Sequence, residues 1–349
     1  MDQPGVAIIG CGLIGQKRAQ ALSAARPAEA RLVACADVAL ERANKLAQTA
    51  PGAVALADWR AAVTRDDVDI VVVATTNDVL AEISLAAVQA GKHVLVEKPA
   101  ARSVREIEPV LDAAQRAGVQ VRVGFNHRYH PALSKARALF EAGALGEMMF
   151  VRGRYGHGGR IGYDREWRAD PKLAGGGELL DQGVHLIELA RVFLGDFTQV
   201  TGYAHTYFWD MPADDNGFML LRTPHQQTAF LHVSCTEWKN LFSLEIYGKQ
   251  AKLHIEGLGG SYGVEQLAYY QMRPEMGPPD TTIWEYPRGD QSWALEFAEF
   301  TEDIRLGRPP AANLNDARAA LAIVEHIYAE SGLRFAHQET GTDGHDHHA

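Results

Sequence analysis

One junction near the start of the chain restricts its possible folds more than any other feature. The apolar run 6–9 leads directly into Gly10-Cys11-Gly12-Leu13-Ile14-Gly15, and an Ala/Leu-rich segment with helical periodicity follows. In such a strand–turn–helix unit, Gly10 permits the tight turn, Gly12 lets the backbone approach a pyrophosphate, and Gly15 lets helix and strand pack closely. Free N–H groups at the helix N-terminus favour the phosphates. The junction therefore predicts a dinucleotide-binding unit.

An acidic residue at a suitable distance indicates which dinucleotide is bound. Asp37 follows the second predicted strand, 22 residues beyond Gly15, where a carboxylate can accept both ribose hydroxyls of NAD. The same charge would repel the 2′-phosphate of NADP, and the nearest following arginine is Arg42. We therefore expect NAD as the cofactor, with NADP less favoured.

Residues 1–125 alternate short β-branched runs with helical segments. Runs that are apolar on both faces and separated by helices indicate a parallel sheet covered on two sides, which is a doubly wound α/β domain. The predicted strands are 6–9, 31–36, 70–74, 94–96 and 120–123, and the predicted helices are 13–25, 40–48, 79–90 and 103–117.

The pattern changes after residue 125. Residues 126–335 read as a helix (131–141), a strand (147–155), a Gly- and Arg-rich loop, a helix starting near Leu179, consecutive strands from 197 to 286, and helices at 293–306 and 315–331. Period-two alternation in 228–236 and 242–248 predicts a large, mostly antiparallel open sheet that is apolar on one face. We thus expect a second, α+β domain, whose sheet offers a surface for oligomerisation. Residues 336–349 form a His-rich tail that we expect to be disordered.

Composition excludes several classes of function. With 349 residues the chain suits two domains, and 34 basic against 44 acidic residues make nucleic-acid binding unfavourable. No run approaches 18 apolar residues, and the first residues lack a basic signal-peptide region, so we expect no membrane association. Three widely spaced cysteines form no CxxC pair, which favours a reducing cytoplasm and no structural zinc. Outside the His-rich tail, no group of His, Cys or Asp residues has the spacing of metal ligands, so we predict metal-independent hydride transfer.

Four sequence blocks resemble those of one enzyme family. Residues 91–99 read GKHVLVEKP, 124–131 read GFNHRYHP, 175–185 read GGGELLDQGVH and 306–310 read LGRPP. In this order they are similar to the "GKHVLVEKP", "GFNxRFxP" and "GGGxLxDxGxH" motifs and the C-terminal ending of the Gfo/Idh/MocA oxidoreductases, named for glucose–fructose oxidoreductase and inositol dehydrogenase. The resemblance covers about residues 5–335 and implies a Rossmann domain, NAD chemistry and a sugar or cyclitol substrate. Where the family usually has Thr-Pro-Asn, this chain has Thr75-Thr76-Asn77.

The resemblance also implies roles for individual residues. Asp181 and His185 are four positions apart, so on a helix they project from one face. His185 titrates nearest to neutral pH and is the expected proton acceptor, Asp181 would orient it or bind a substrate hydroxyl, and Lys98 would place a positive charge at the substrate oxygen. The expected cofactor-binding residues are Gly10, Gly12, Leu13, Ile14, Gly15, Asp37, Thr75, Asn77, Glu97 and Lys98. The expected substrate-binding residues are Lys98, Asn126, Arg128, Arg154, Trp167, Arg168, Asp181 and His185.

Three functions fit these residues. The first is an NAD-dependent dehydrogenase that oxidises a secondary alcohol of a sugar, cyclitol or sugar derivative. The second is a glycosidase that oxidises the ring transiently, eliminates the leaving group and returns the hydride, as some members of the same family do. The third is a non-enzymatic NAD-binding regulator, which would not need Lys98 or His185. Many aromatic residues in the predicted sheet further favour a homodimer or homotetramer.

Overall fold

Residues 3–24, 30–275 and 277–335 are described by the computed structural model of the chain. Its N-terminal part contains a six-stranded, all-parallel sheet with the strand order β3-β2-β1-β4-β5-β6. Every residue of β1 and β4 is buried, as expected for strands covered on both faces. The strands are β1 (Gly5–Ile9), β2 (Arg31–Ala36), β3 (Val54–Leu56), β4 (Ile70–Val73), β5 (His93–Val96) and β6 (Val121–Val123).

Helices connect these strands and cover both faces of the sheet. Helix α5 shows how local sequence sets the ends of a helix: the Ser103 hydroxyl accepts a hydrogen bond from the Glu106 N–H, and Gly118 closes the last turn in the left-handed region at φ 64°. The helices of this part are α1 (Leu13–Ala24), α2 (Leu40–Ala47), α3 (Trp59–Val63), α4 (Leu80–Gln89) and α5 (Val104–Ala117).

An eight-stranded sheet forms most of the C-terminal part. Its order is β14-β13-β12-β11-β7-β10-β9-β8, and every neighbouring pair is antiparallel except β7 with β10. Alternation gives the sheet one buried face, because Ala229, Leu231 and Val233 are fully buried whereas Phe230 between them is half exposed. The strands are β7 (Met148–Gly156), β8 (Gln199–His205), β9 (Asn216–Arg222), β10 (Thr228–Ser234), β11 (Leu241–Gly248), β12 (Ala251–Glu256), β13 (Glu265–Gln271) and β14 (Asp280–Tyr286).

The remaining helices join the two sheets into one body. Helix α9 packs on α1, and its Phe297 and Phe300 share a buried cluster with Val6 and Ile8 of β1. Helix α10 contacts α5, α8 and β8. The C-terminal helices therefore complete the core of the N-terminal sheet as well as that of the second sheet. They are α6 (Pro131–Glu141), α7 (Pro171–Ala174), α8 (Val184–Leu194), α9 (Ser292–Leu306) and α10 (Leu314–Glu330).

The predicted fold class is confirmed, with two differences in detail. The sequence did not predict β3 or α3, which are three and five residues long. Residues 179–183 form a π-helical turn before α8 instead of the first turn of an α-helix. The tail 336–349, predicted to be disordered, lies outside the described residues. None of the helices described is long and apolar enough to cross a membrane.

Candidate active site

The glycine loop has the geometry that its sequence predicts. Gly10 adopts φ 90°, and a Cβ atom there would come within 2.4 Å of the Ala74 carbonyl oxygen. A Cβ at Gly15 would lie 2.0 Å from the Gly10 carbonyl oxygen, so close packing of α1 on the loop requires glycine. A Cβ at Gly12 would meet nothing within 4 Å. The loop thus offers an open backbone at the start of α1, which fits a pyrophosphate.

Asp37 holds the loop in register with the end of β2. Its carboxylate accepts hydrogen bonds from the Cys11 and Ala39 N–H groups, each at 2.8 Å. Leu13 begins α1 and is 72% exposed, and Val38 beside Asp37 is 93% exposed. Exposed apolar side chains next to a fixed carboxylate fit the adenosine end of a dinucleotide, with a nonpolar surface and an acceptor for hydroxyls.

A cavity of about 250 Å³ lies where the two parts of the chain meet. Ten of the residues predicted to bind cofactor or substrate line it, and they come from loops that follow the strands of the first sheet and from the segment 167–185. Binding at the carboxyl ends of parallel strands is usual for doubly wound sheets. The ten are Ile14, Thr75, Asn77, Glu97, Lys98, Asn126, Trp167, Arg168, Asp181 and His185.

Three charged groups meet on one wall of this cavity. The Lys98 ammonium donates to the backbone carbonyl of Asp181 at 2.7 Å and also to its carboxylate Oδ1. The Arg168 guanidinium donates to Oδ2 of the same carboxylate at 3.1 Å. Burial alone would favour protonated Asp181, but the charges of Lys98 and Arg168 outweigh it and hold the Asp181 pKa well below its usual range. Asp181 is therefore ionised at neutral pH, and it fixes the position of Lys98.

His185 is a buried, neutral imidazole beside this charged group. Burial lowers its pKa well below 6.5, and the positive charge of Lys98 and the ring of His130 lower it further. The ring stacks on that of His127, with 3.8 Å between centroids and 18° between planes, and Phe125 contacts it edge-on at 5.8 Å. A neutral imidazole that is fixed in orientation can accept a proton at neutral pH.

A buried ionic network anchors the segment that carries Lys98. Glu97, the residue before Lys98, accepts a hydrogen bond from Arg18 Nε at 2.6 Å. The side chain of Arg18 is fully buried and also bonds Glu296 of α9. The network ties α1, β5 and α9 together, so the segment that carries Lys98 is anchored to both parts of the chain.

Two predicted substrate-binding residues do not reach this cavity. Arg128 pairs with Glu188 and donates to the Ala311 carbonyl at 2.8 Å, and it lies in a separate surface cleft. Arg154 is on the exposed face of β7, because Gly153 and Tyr155 on either side of it face inward. The expectation that Arg128 and Arg154 line the substrate pocket is therefore corrected.

The structure adds residues that sequence reasoning missed. His127, Tyr155 and Tyr262 line the cavity, as do Asp290 just before α9 and Trp293 in its first turn. His127 lies between Asn126 and Arg128 in the motif at 124–131, so its place between two predicted site residues could have identified it. The other four come from distant segments of the chain, and no local pattern marks them.

Another missed group is Asp214, which holds the start of the π-helical turn. Its carboxylate accepts from the N–H groups of Gly177 and Leu179 and from the Tyr328 hydroxyl, at 2.9, 2.8 and 2.7 Å. Burial raises its pKa to about 6, although these hydrogen bonds stabilise the ionised form. A Cβ at Gly177 would lie 2.0 Å from the Asp214 carbonyl oxygen, which explains the glycine before the turn.

Glu178 is a second buried carboxyl close to the site. It is 2% exposed, and neither carboxylate oxygen has a hydrogen-bond partner among the residues that the structure describes. The imidazole of His157 faces this carboxyl, with His157 Nε2 3.7 Å from Glu178 Oε2. Burial raises the pKa of Glu178 even though His157 opposes this effect. Burial alone would lower the pKa of His157. The Glu178 carboxylate has the larger effect, so the pKa of the imidazole is raised.

Comparison with known proteins agrees with this geometry. Residues 5–125 match the oxidoreductase family with an NAD-binding Rossmann fold, and residues 133–254 match the GFO/IDH/MocA C-terminal domain. Inositol 2-dehydrogenase 2 of Saccharopolyspora erythraea is 30% identical over 328 residues, which are 92% of this chain and 91% of that protein. The chain belongs to the Gfo/Idh/MocA oxidoreductase family.

Other relatives of the oxidoreductase include levoglucosan dehydrogenases. The protein of that name from Pseudarthrobacter phenanthrenivorans is 34% identical over 176 residues, which are 48% of this chain and 43% of that protein. The solved structure of a levoglucosan dehydrogenase in complex with NADH has the same fold, with a TM-score of 0.83 at 23% identity, covering 95% of this chain and 97% of that one. The oxidoreductase is thus an NAD-binding enzyme with a Rossmann domain, as its sequence predicts.

Proposed function

We propose that the oxidoreductase transfers a hydride between a secondary alcohol of a sugar or cyclitol and NAD. The observation that carries this proposal is the meeting of an ammonium, an ionised carboxylate and a neutral imidazole in one cavity that begins at the glycine loop. The names of its relatives, which include inositol and levoglucosan dehydrogenases, support a polyhydroxylated substrate.

Each side chain has a specific task in this reaction. NAD supplies the hydride acceptor when it is bound. His185 accepts the hydroxyl proton because its imidazole is neutral at neutral pH. Lys98 stabilises the negative charge that develops on the substrate oxygen, and Asp181 keeps the ammonium in place through two hydrogen bonds. Trp167 and Arg168 line the same cavity and supply a flat apolar surface and a donor group for a hydroxylated ring.

A screen for NADH formation tests the proposal. The purified enzyme is mixed with NAD and with inositols, aldoses, uronic acids or nucleotide sugars, and absorbance of NADH is followed alongside product. We expect NADH to accumulate in a one-to-one ratio with oxidised product for at least one compound. Release of a leaving group with no net NADH would instead identify the transient-oxidation glycosidase. Binding of NAD with neither reaction on any compound would contradict both enzymatic functions.

A further inference from the structure

A small recess adjoins the proposed substrate cavity at the position of Glu178. It has room for about one water-sized group, at roughly 10 Å³, and it shares four lining residues with the main cavity. Glu178 and Tyr163 line the recess but not the main cavity. The shared residues are Asn77, Trp167, Arg168 and Asp181.

The carboxyl of Glu178 has an ion-pair contact with His157 but lacks the hydrogen bonds that a buried acid normally accepts. Both of its oxygens are shielded from bulk water and accept no hydrogen bond from any described residue, and His157 at 3.7 Å is too distant for one. Leaving such a group unpaired is unfavourable, so buried polar atoms without partners need a physical explanation. By contrast, Asp181 next to it is fully paired with Lys98 and Arg168. Glu178 is thus an acceptor in this recess that receives no hydrogen bond from the described residues.

The charges around the recess select the kind of group that Glu178 can bind. Lys98 and Arg168 balance the negative charges of Asp181 and Glu178, and His157 faces Glu178 itself. A further ammonium would therefore gain no net attraction from this arrangement. A neutral hydrogen-bond donor fits, and the size of the recess admits a hydroxyl but not a larger substituent.

We propose that Glu178 accepts a hydrogen bond from a second substrate hydroxyl, next to the one that Lys98 and His185 engage, and so makes the enzyme selective for compounds with that hydroxyl. This inference rests on the proposed function, because it assigns a second contact to the same polyhydroxylated substrate. A site built to bind a hydroxyl discriminates strongly against an analogue without it.

The test compares parent compounds with their monodeoxy analogues. myo-Inositol, D-glucose and levoglucosan are assayed with NAD, and the parent that the wild type oxidises is compared with each of its monodeoxy forms. We expect at least one deoxy position to lower kcat/KM by about 10- to 100-fold, the effect of losing one hydrogen bond to a carboxylate. In Glu178→Ala, kcat/KM for the parent and for the deoxy form should differ by less than threefold, because the parent loses its contact and the deoxy form has none to lose. Glu178→Gln keeps the volume and an acceptor, so it should give an intermediate ratio.

Glu188→Gln is the matched control. Glu188 is a buried carboxyl of α8 that pairs with Arg128 outside the cavity, so its variant should leave the parent-to-deoxy ratio unchanged. An equal loss on parent and deoxy compounds in Glu178→Ala and Glu178→Gln would make Glu178 merely structural and overturn the inference while the proposed function stands. Wild-type activity on both compounds in both variants, with the parent-to-deoxy ratio unchanged, would also overturn the inference and would indicate that a water molecule occupies the recess. If the wild type oxidises none of the parents, the proposed function fails for them and this inference fails with it.

Discussion

The Lys98 ammonium donates hydrogen bonds to both the backbone carbonyl and the carboxylate of Asp181, and Lys98 and Asp181 lie 83 positions apart in the sequence. One residue follows the strand β5 of the first sheet, and the other lies in the π-helical turn that precedes α8. The pair therefore joins the end of the dinucleotide-binding sheet to the segment that carries His185. We expect a substrate held at this pair to lie at the boundary between the two sheets.

Removing the lysine charge should reduce turnover while NAD binding remains. Lys98→Met keeps most of the side-chain volume but loses the positive charge at the substrate oxygen, and we expect kcat to fall by about 10²-fold or more. The Kd for NAD, measured by fluorescence titration, should change by less than threefold. Lys92→Met is the control, because Lys92 bonds the Arg65 carbonyl at 2.9 Å far from the cavity. Wild-type turnover in Lys98→Met would show that the lysine has no catalytic task.

The pH dependence of alcohol oxidation should follow His185. Because burial and Lys98 lower its pKa, the imidazole stays neutral at pH 7 and loses its capacity to accept a proton only as pH falls below 6.5. Asp181 stays ionised across this range, so it adds no second transition, whereas Asp214, which holds the turn that carries Asp181, has a pKa of about 6. We expect the acidic limb of kcat/KM to have its midpoint below 6.5 in the wild type, and to be reduced to the transition of Asp214 in the residual activity of His185→Gln. A midpoint above 7, or an unchanged limb in the variant, would assign proton transfer to another group.

Selection between NAD and NADP should depend on Asp37. Its carboxylate already accepts from the Cys11 and Ala39 N–H groups, and its remaining lone pairs can take ribose hydroxyls. Asp37→Ala should raise the Kd for NAD by about tenfold and raise that for NADP less, because the repulsion of a 2′-phosphate is removed. Titration of both cofactors gives the ratio. A ratio equal to that of the wild type would place ribose selection elsewhere.

The exposed face of the second sheet should form a contact between copies of the chain. Tyr203, Leu220 and Phe230 are 65%, 51% and 49% exposed there, which is unusual for large apolar side chains on one face. We expect light scattering to give two or four times the chain mass of 38.2 kDa, and Phe230→Lys to reduce it. A single-chain particle of the wild type at micromolar concentration would contradict this prediction.

Much of the fold could be predicted from local patterns. The boundaries of β2 and α6 agree with the sequence prediction, because an apolar run or a helical segment bounded by turn residues specifies each. The strand β3 was missed because its run has only three residues, Val54–Leu56, and all three are only partly buried. Most of the predicted residues that line the cavity lie in or next to motifs that imply a spatial arrangement, whereas Trp167 and Arg168 lie in the Gly- and Arg-rich loop outside them.

The errors at the site have physical causes. The prediction for Arg154 ignored strand alternation, which directs it away from the buried face that Tyr155 occupies. The prediction for Arg128 failed because its partner Glu188 is 60 residues distant, and a single sequence does not reveal such a pair. The same reason hides the stacking of His127 on His185, which is a contact between two separate elements.

Transfer of a labelled hydride tests the central claim most directly. A substrate found in the screen is prepared with deuterium on the carbon of each secondary alcohol, and the NADH formed by the wild-type enzyme is analysed by mass spectrometry. We predict that every NADH carries one deuterium and that Lys98→Met and His185→Gln form labelled NADH at least 10²-fold more slowly. Unlabelled NADH, or undiminished transfer in both variants, would contradict hydride transfer at this site.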